Sequence, residues 1–203
     1  MSGALIWALV ALGWLVVVLR RRSVAAGLLT VQALVLVGVA LDDATSRDDV
    51  LAAAALAVRA VLLATLFFLL VARTREPRPV RPGVAPLVRG GVAVGLALLL
   101  TWLVPTIGLD SRDAERGVLA LVAFGIATVA TRRATLFQVM GVVLVENGLA
   151  LAALALPGVS SLAIELGVAL DLTLVVLVAA VFHERIFAEF GSGDTAVLQA
   201  LRD

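Results

Sequence analysis

The sequence predicts an all-α integral membrane protein of about seven transmembrane helices, and three observations carry that prediction. The 203 residues are 62% hydrophobic and 15% charged, with a mean hydropathy of +1.12, where soluble domains run at about 45–50% apolar and about 25% charged. The apolar residues fall into separate runs close to the roughly 20 residues that cross about 30 Å of hydrocarbon. The sixteen basic residues are all arginines, and all but Arg59 lie outside those runs. Lipid is therefore the expected solvent for most of the surface, and the localisation expected is a plasma membrane, crossed many times.

The runs are residues 3–19, 24–41, 50–72, 90–109, 117–131, 134–156 and 162–182. The first has no basic segment before it and Arg20, Arg21 and Arg22 after it, so it reads as a retained span rather than a cleaved signal peptide. The second carries Gln32 and the third Arg59. Residues 73–89, with Pro77, Pro79, Pro82 and Pro86, read as a semi-rigid cytoplasmic linker, because proline interrupts a helix and stiffens an extended chain. The fourth run has no ionisable residue and reads as a lipid-facing or packing element that Pro105 and Gly108 kink or end. The fifth, between Arg116 and Arg132, is the shortest. The sixth holds Gln138, Glu146 and Asn147, and the seventh Glu165 and Asp171. Four regions result: helices one to three in 1–72, the linker 73–89, helices four to seven in 90–182, and a cytoplasmic tail 183–203.

Seven spans put the termini on opposite sides. Arg20 to Arg22, the linker, Arg132 with Arg133 and the tail place twelve of the sixteen arginines on one side, whereas loops 42–49 and 110–116 hold three arginines and seven acidic residues. The positive-inside rule then gives an outside amino terminus and a cytoplasmic carboxyl terminus. Helices one to three overlay on five to seven in the same direction, with Arg22 near Arg133, Arg59 on Asp171 and Arg73 on Arg185, a weak parallel 3+1+3 repeat.

A charge at mid-bilayer costs about 2.5–3.5 kcal/mol on insertion scales, so Arg59, Glu146, Glu165 and Asp171 each need a reason. At 1.5 Å per residue, Arg59 and Asp171 lie about 14 Å and Glu146 about 15 Å from the outer ends of their helices. Three ionisable groups thus share one depth. Glu165, three residues inside its span, ranks lower and reads equally as a boundary charge. The plain reading of the other three is a static ion pair that holds helices together. The sharper one is a proton or cation relay: burial disfavours a charged carboxylate and a neighbouring arginine favours it, so two acids beside one arginine share a poised proton. Gln32 and Gln138 read as interhelical hydrogen-bonding groups, worth about 0.6–2 kcal/mol each, and Asn147 as a group that orients its neighbour Glu146.

Other function classes have little to stand on. There is no cysteine and one histidine, His183, which excludes iron–sulfur and thiolate sites and leaves no basis for a histidine-rich metal or haem centre. No cofactor, metal or catalytic residue is expected in this chain. Phosphate-cradling glycine loops, zinc-protease motifs and nucleophile elbows are missing, and Gly191-Ser192-Gly193 reads as a flexible turn. The scattered arginines give no nucleic-acid surface.

Several stretches resemble the component E family of hydrogenase-4. They are Gln138-Val139-Met140-Gly141, Glu146-Asn147-Gly148, Glu165-Leu166-Gly167-Val168-Ala169-Leu170-Asp171 and the final Asp194-Thr195-Ala196-Val197-Leu198-Gln199-Ala200-Leu201-Arg202-Asp203. Gln32-Ala33-Leu34-Val35-Leu36-Val37 is similar to that family's second helix, and Arg59 stands where it carries a basic residue. The resemblance implies a membrane subunit of a complex-I-related assembly, in which a soluble [NiFe] hydrogenase or dehydrogenase arm is joined to antiporter-like membrane subunits. It also implies that residues 134–182 are similar to the small K-type subunit of complex I, with Asp171 as the counterpart of its last intramembrane acid and Glu146 approximately that of the earlier one. The function expected is non-catalytic coupling of electron transfer to proton or sodium translocation. Two rivals stand beside it: a subunit of a cation/proton antiporter without a redox arm, and a structural spacer whose buried charges are static.

Overall fold

The computed structural model describes residues 2–74, 84–156 and 162–191, the side chains of 162–174 excepted. These residues form seven helices and no strand: α1 Gly3–Val18, α2 Arg22–Asp42, α3 Arg47–Arg73, α4 Pro86–Leu103, α5 Arg112–Thr131, α6 Thr135–Leu154 and α7 Leu162–Phe190. Among the described residues, α2 to α6 are long and apolar enough to cross a membrane, while α1 is apolar but has 16 residues, about 24 Å of helix. Exposure is inverted relative to a soluble protein: Trp102 and Leu87 are each 81% exposed, and large aliphatic side chains are exposed along α2, α3, α4 and α7. An all-helical multi-pass membrane protein accounts for that surface, because only in lipid does it carry no hydrophobic penalty.

The helix ends refine the sequence reading. Pro86 occupies the first turn of α4, where its missing N–H is no loss and its fixed φ suits the helix. The helix therefore starts before the end of the expected linker and takes in Arg89, so α4 is not free of ionisable residues. It stops at Leu103, with Val104 extended, as the residue before a proline prefers. Pro105 ends the helix rather than kinking it. Beyond it Gly108, at φ +83°, turns the chain back, and its N–H donates to Glu115 Oε1 at 2.9 Å.

α5 begins at Arg112, five residues earlier than expected. Ser111 Oγ accepts from the Ala114 N–H at 3.1 Å, and Asp113 and Glu115 sit in the first turn, where the helix dipole favours negative charge. Ser46 and Asp49 cap α3 reciprocally, at 3.2 and 2.8 Å. α7 runs through His183 to Phe190, so the expected tail is helical over its first eight residues; 192–203 lie outside the described residues, as do 75–83 of the linker.

α5 and α6 form the centre, buried along most of their lengths. They meet at glycines: a Cβ on Gly125 would lie 2.5 Å from the Gly141 carbonyl oxygen and 2.8 Å from Val145 N, so the two backbones touch as small residues in membrane helices permit. Around this pair α1 packs on α5, α2 on α6 and α3 on α7, with α4 against α1 and α5. α4 buries only Arg89, Gly90 and Ala93, the peripheral packing element expected of it.

Candidate functional site: a buried polar chain across four helices

A polar chain runs through the apolar interior. It starts on α1, where the Leu9 carbonyl accepts from Gln32 Nε2 at 2.9 Å. Gln32 Oε1 accepts from Asn147 Nδ2 at 2.8 Å, Asn147 Oδ1 accepts from Arg59 Nη2 at 3.4 Å, and Arg59 Nη1 pairs with Glu146 Oε1 at 3.6 Å. Helices α1, α2, α6 and α3 are thereby joined. Gln32 and Asn147 are each 1% exposed, and the Arg59 and Glu146 side chains 5% and 14%. The amide links are the short, most buried ones, and the charged links are longer and lie toward the less buried end. A cavity of about 10 Å³ beside Arg59 and Asn147, lined also by Leu36 and Ala60, has room for about one water.

Local sequence explains each position. Gln32 lies on the buried stripe of α2 with Leu29 and Leu36, and Arg59 on that of α3 with Ala60 and Leu63, so helical periodicity sends both inward. Gly13, near which a Cβ would come within 3.4 Å of Gln32 Nε2, leaves room for the amide against α1. Glu146 and Asn147 are consecutive and diverge by about 100° around α6. With that divergence the two meet Arg59 at different guanidinium nitrogens, Asn147 at Nη2 and Glu146 at Nη1.

Arg59, Glu146, Asn147 and Gln32 are thus brought together. Gln138 is not: its Nε2 donates to the Arg132 carbonyl at 2.9 Å, fastening the turn between α5 and α6 rather than bridging distant helices. Glu165 and Asp171 belong to α7, but their side chains lie outside the described residues, and so does any meeting of Asp171 with Arg59.

Two further polar clusters were not read from the sequence, and both lie at the end of the bundle that carries the arginine clusters. His183, buried in α7, has its Nδ1 against Thr135 Oγ1 of α6 and its Nε2 3.4 Å from Thr74 Oγ1 after α3. Thr74 Oγ1 spends its proton on the Leu70 carbonyl at 2.6 Å, so toward histidine it accepts and Nε2 donates. A cavity of about 260 Å³, apolar except for Thr135, Gln138 and His183, adjoins this cluster between α6 and α7.

In the other cluster two arginines close the end of α1. Arg132 Nη2 donates to the Val17 carbonyl at 2.8 Å and to that of Leu19, and Arg89 Nη2 to that of Val18 at 3.4 Å. The Arg132 guanidinium lies 3.9 Å from the Phe137 ring centroid. Burial, then the charges of Arg89 and Arg20, pull the Arg132 pKa down to about 9, which leaves it protonated at neutral pH. The sequence held one hint: α1 ends in Val-Val-Val-Leu, with no glycine to satisfy its last carbonyls. Comparison with known proteins finds no matching family model, no similar curated protein and no similar solved structure.

Proposed function

We propose that this chain is a non-catalytic membrane subunit of a hydrogenase-4-like, complex-I-related assembly, contributing to the coupling of electron transfer to proton or sodium translocation. The observation that carries the reading is the Arg59–Glu146 pair, set inside an apolar bundle and continued by Asn147 and Gln32. Ionisable groups are expensive in a membrane interior and mark ion pathways there. In this reading the chain has seven spans, an outside amino terminus and a cytoplasmic carboxyl terminus in the plasma membrane. In the same reading the parallel 3+1+3 repeat relates α1–α3 to α5–α7, which pack with α1 on α5, α2 on α6 and α3 on α7.

The pair divides the work between a fixed and an exchangeable charge. Arginine does not release its proton in proteins, so Arg59 holds a constant positive charge, and Glu146, the more open of the two, is the group that takes up and releases a proton. Asp171 on α7 is the proposed second acid. The partners in this reading are antiporter-like membrane subunits and a soluble [NiFe] hydrogenase or dehydrogenase arm.

A structural spacer is the second reading, and the continuity from Leu9 to Arg59 favours it, since a chain of hydrogen bonds across four helices holds them in register whether or not protons move. One experiment separates the two. Glu146→Gln and Asp171→Asn are introduced into the assembly isolated with its partners, and translocation and subunit content are measured together. The coupling reading expects full subunit content and lost pumping; pumping that survives both substitutions refutes it. Mass spectrometry of what co-purifies with the tagged chain then tests the partners: antiporter-like subunits without a redox arm would move the assignment to a cation/proton antiporter.

A further inference from the structure

Arg89 and Arg132 pose an electrostatic problem that the chain does not solve. Their side chains are 1% and 8% exposed, and a buried cation ordinarily has a carboxylate partner. The ion pairs described among side chains are Arg59–Glu146 and Arg73–Glu184, and neither Arg89 nor Arg132 has a carboxylate within salt-bridge distance among the described residues. Their acceptors are the Val17, Val18 and Leu19 carbonyls, which carry partial charges only. Each also leaves its Nε–H without an acceptor. Exposed Arg20 and Arg21 follow directly on α1, adding positive charge at the same point. The buried guanidinium groups of Arg89 and Arg132 and the exposed one of Arg20 thus converge where α1 and α5 end and α2 and α4 begin.

We propose that this end of the bundle binds the phosphate of an anionic phospholipid, which contacts the exposed Arg20 and is held there by the buried positive charges of Arg89 and Arg132 beneath it. Three features select a phosphate. The site is at the ends of membrane helices, the depth at which headgroup phosphates lie, and basic clusters between helices at that depth take anionic headgroups. Guanidinium groups match phosphate oxygens in geometry as well as charge. The exposed large hydrophobics of the first turn of α4, Leu87 and Val88, flank Arg89 and offer an apolar surface on which acyl chains can lie. The α1 carbonyls and the Phe137 ring hold the guanidinium groups in place before the lipid arrives, so little side-chain ordering is left to the binding step.

The test is a lipid titration of the full-length protein, delipidated in mild detergent and followed by native mass spectrometry and thermal unfolding. Phosphatidylglycerol, phosphatidylcholine and inorganic phosphate are compared on the natural sequence, Arg20→Gln, Arg132→Gln, Arg132→Lys and Arg47→Gln. Arg47 lies at the opposite end of the bundle, at the start of α3, and serves as the charge control. Phosphatidylglycerol is expected to bind more tightly than phosphatidylcholine, with about a fivefold loss of affinity for each arginine neutralised, most of it recovered by Arg132→Lys and none of it seen in Arg47→Gln. Arg20 is exposed, so Arg20→Gln carries the test even where Arg132→Gln fails to fold. Equal binding of the two lipids, or unaltered phosphatidylglycerol binding by Arg20→Gln, overturns the proposal. Inorganic phosphate that reproduces the whole shift would keep the phosphate site and overturn lipid as its source.

Discussion

Asn147 is the member of the polar chain whose removal should be felt most, because it joins the amide of Gln32 on α2 to the charge of Arg59 on α3. Asn147→Ala removes the 2.8 Å bond to Gln32 Oε1 and the 3.4 Å acceptor of Arg59. The first loss leaves a carbonyl oxygen on a side chain 1% exposed without its donor, a penalty of about 1–3 kcal/mol. The second is smaller, since 3.4 Å exceeds the usual range of a good N–H···O bond. Interhelical hydrogen bonds in membranes average about 0.6 kcal/mol by double-mutant cycles, so a total near 2 kcal/mol is expected, most of it from the orphaned Gln32 oxygen rather than from the bonds themselves.

Gln32→Leu should cost about 1–2 kcal/mol by orphaning Asn147 Nδ2, yet Gln32→Leu with Asn147→Ala removes both orphans and should cost less than the sum of the single changes by about 1 kcal/mol. Reversible unfolding in mixed micelles of the four variants measures the coupling. Additivity within about 0.5 kcal/mol, the figure for independent sites, would refute the account of a connected chain.

Three further outcomes follow from the packing and from the second cluster. Gly125→Ala should destabilise the α5–α6 pair by about 1–3 kcal/mol through overpacking, because the added Cβ meets backbone at 2.5 Å; Gly38→Ala, with no heavy atom within 4 Å, should be neutral or stabilising, both read by the same unfolding assay. His183→Ala should lower stability by about 1–3 kcal/mol and raise hydrogen exchange at the adjoining ends of α3, α6 and α7, which the histidine joins through Thr74 and Thr135. Arg73→Ala should change stability by about 0.5 kcal/mol or less, since the Arg73–Glu184 pair, 3.3 Å apart, has side chains 68% and 43% exposed.

The order and extent of the helices were legible because lipid imposes a coarse rule that composition obeys. Where the sequence reading differed, a residue type had two meanings. Pro86 counted as a helix breaker but stands where proline starts a helix. The charged run Arg112-Asp113-Ala114-Glu115-Arg116 counted as loop, although Ser111 before it and the acids within it are what a helix start requires. The depth of Arg59 and Glu146 was readable by counting residues, and equal depth is necessary for their pairing. Which face of α6 turns to α3 was not readable that way, and with Gln32 115 residues from Asn147 no local pattern signals that the two amides meet. The clasp of His183 and the closure of α1 by Arg89 and Arg132 belong to the same class, being contacts between helix ends that only the assembled bundle brings together.

Exposure rises along the polar chain from Gln32 and Asn147 to Arg59 and then Glu146, and this gradient separates the groups a static network needs from the acid that the proposed coupling needs. The amide end is buried and uses its donors and acceptors on neighbouring helices. The acid end meets Arg59 at 3.6 Å, too long for a tight charge-assisted bond, and so contributes less to holding the helices than the amides do. Glu146→Gln keeps the shape of the side chain and removes its charge, leaving the links from Leu9 to Arg59 in place. A static network would register that change as lost stability, because Arg59 then stays buried without its counter-charge. In a pathway, translocation fails first, and more completely than the change in stability accounts for.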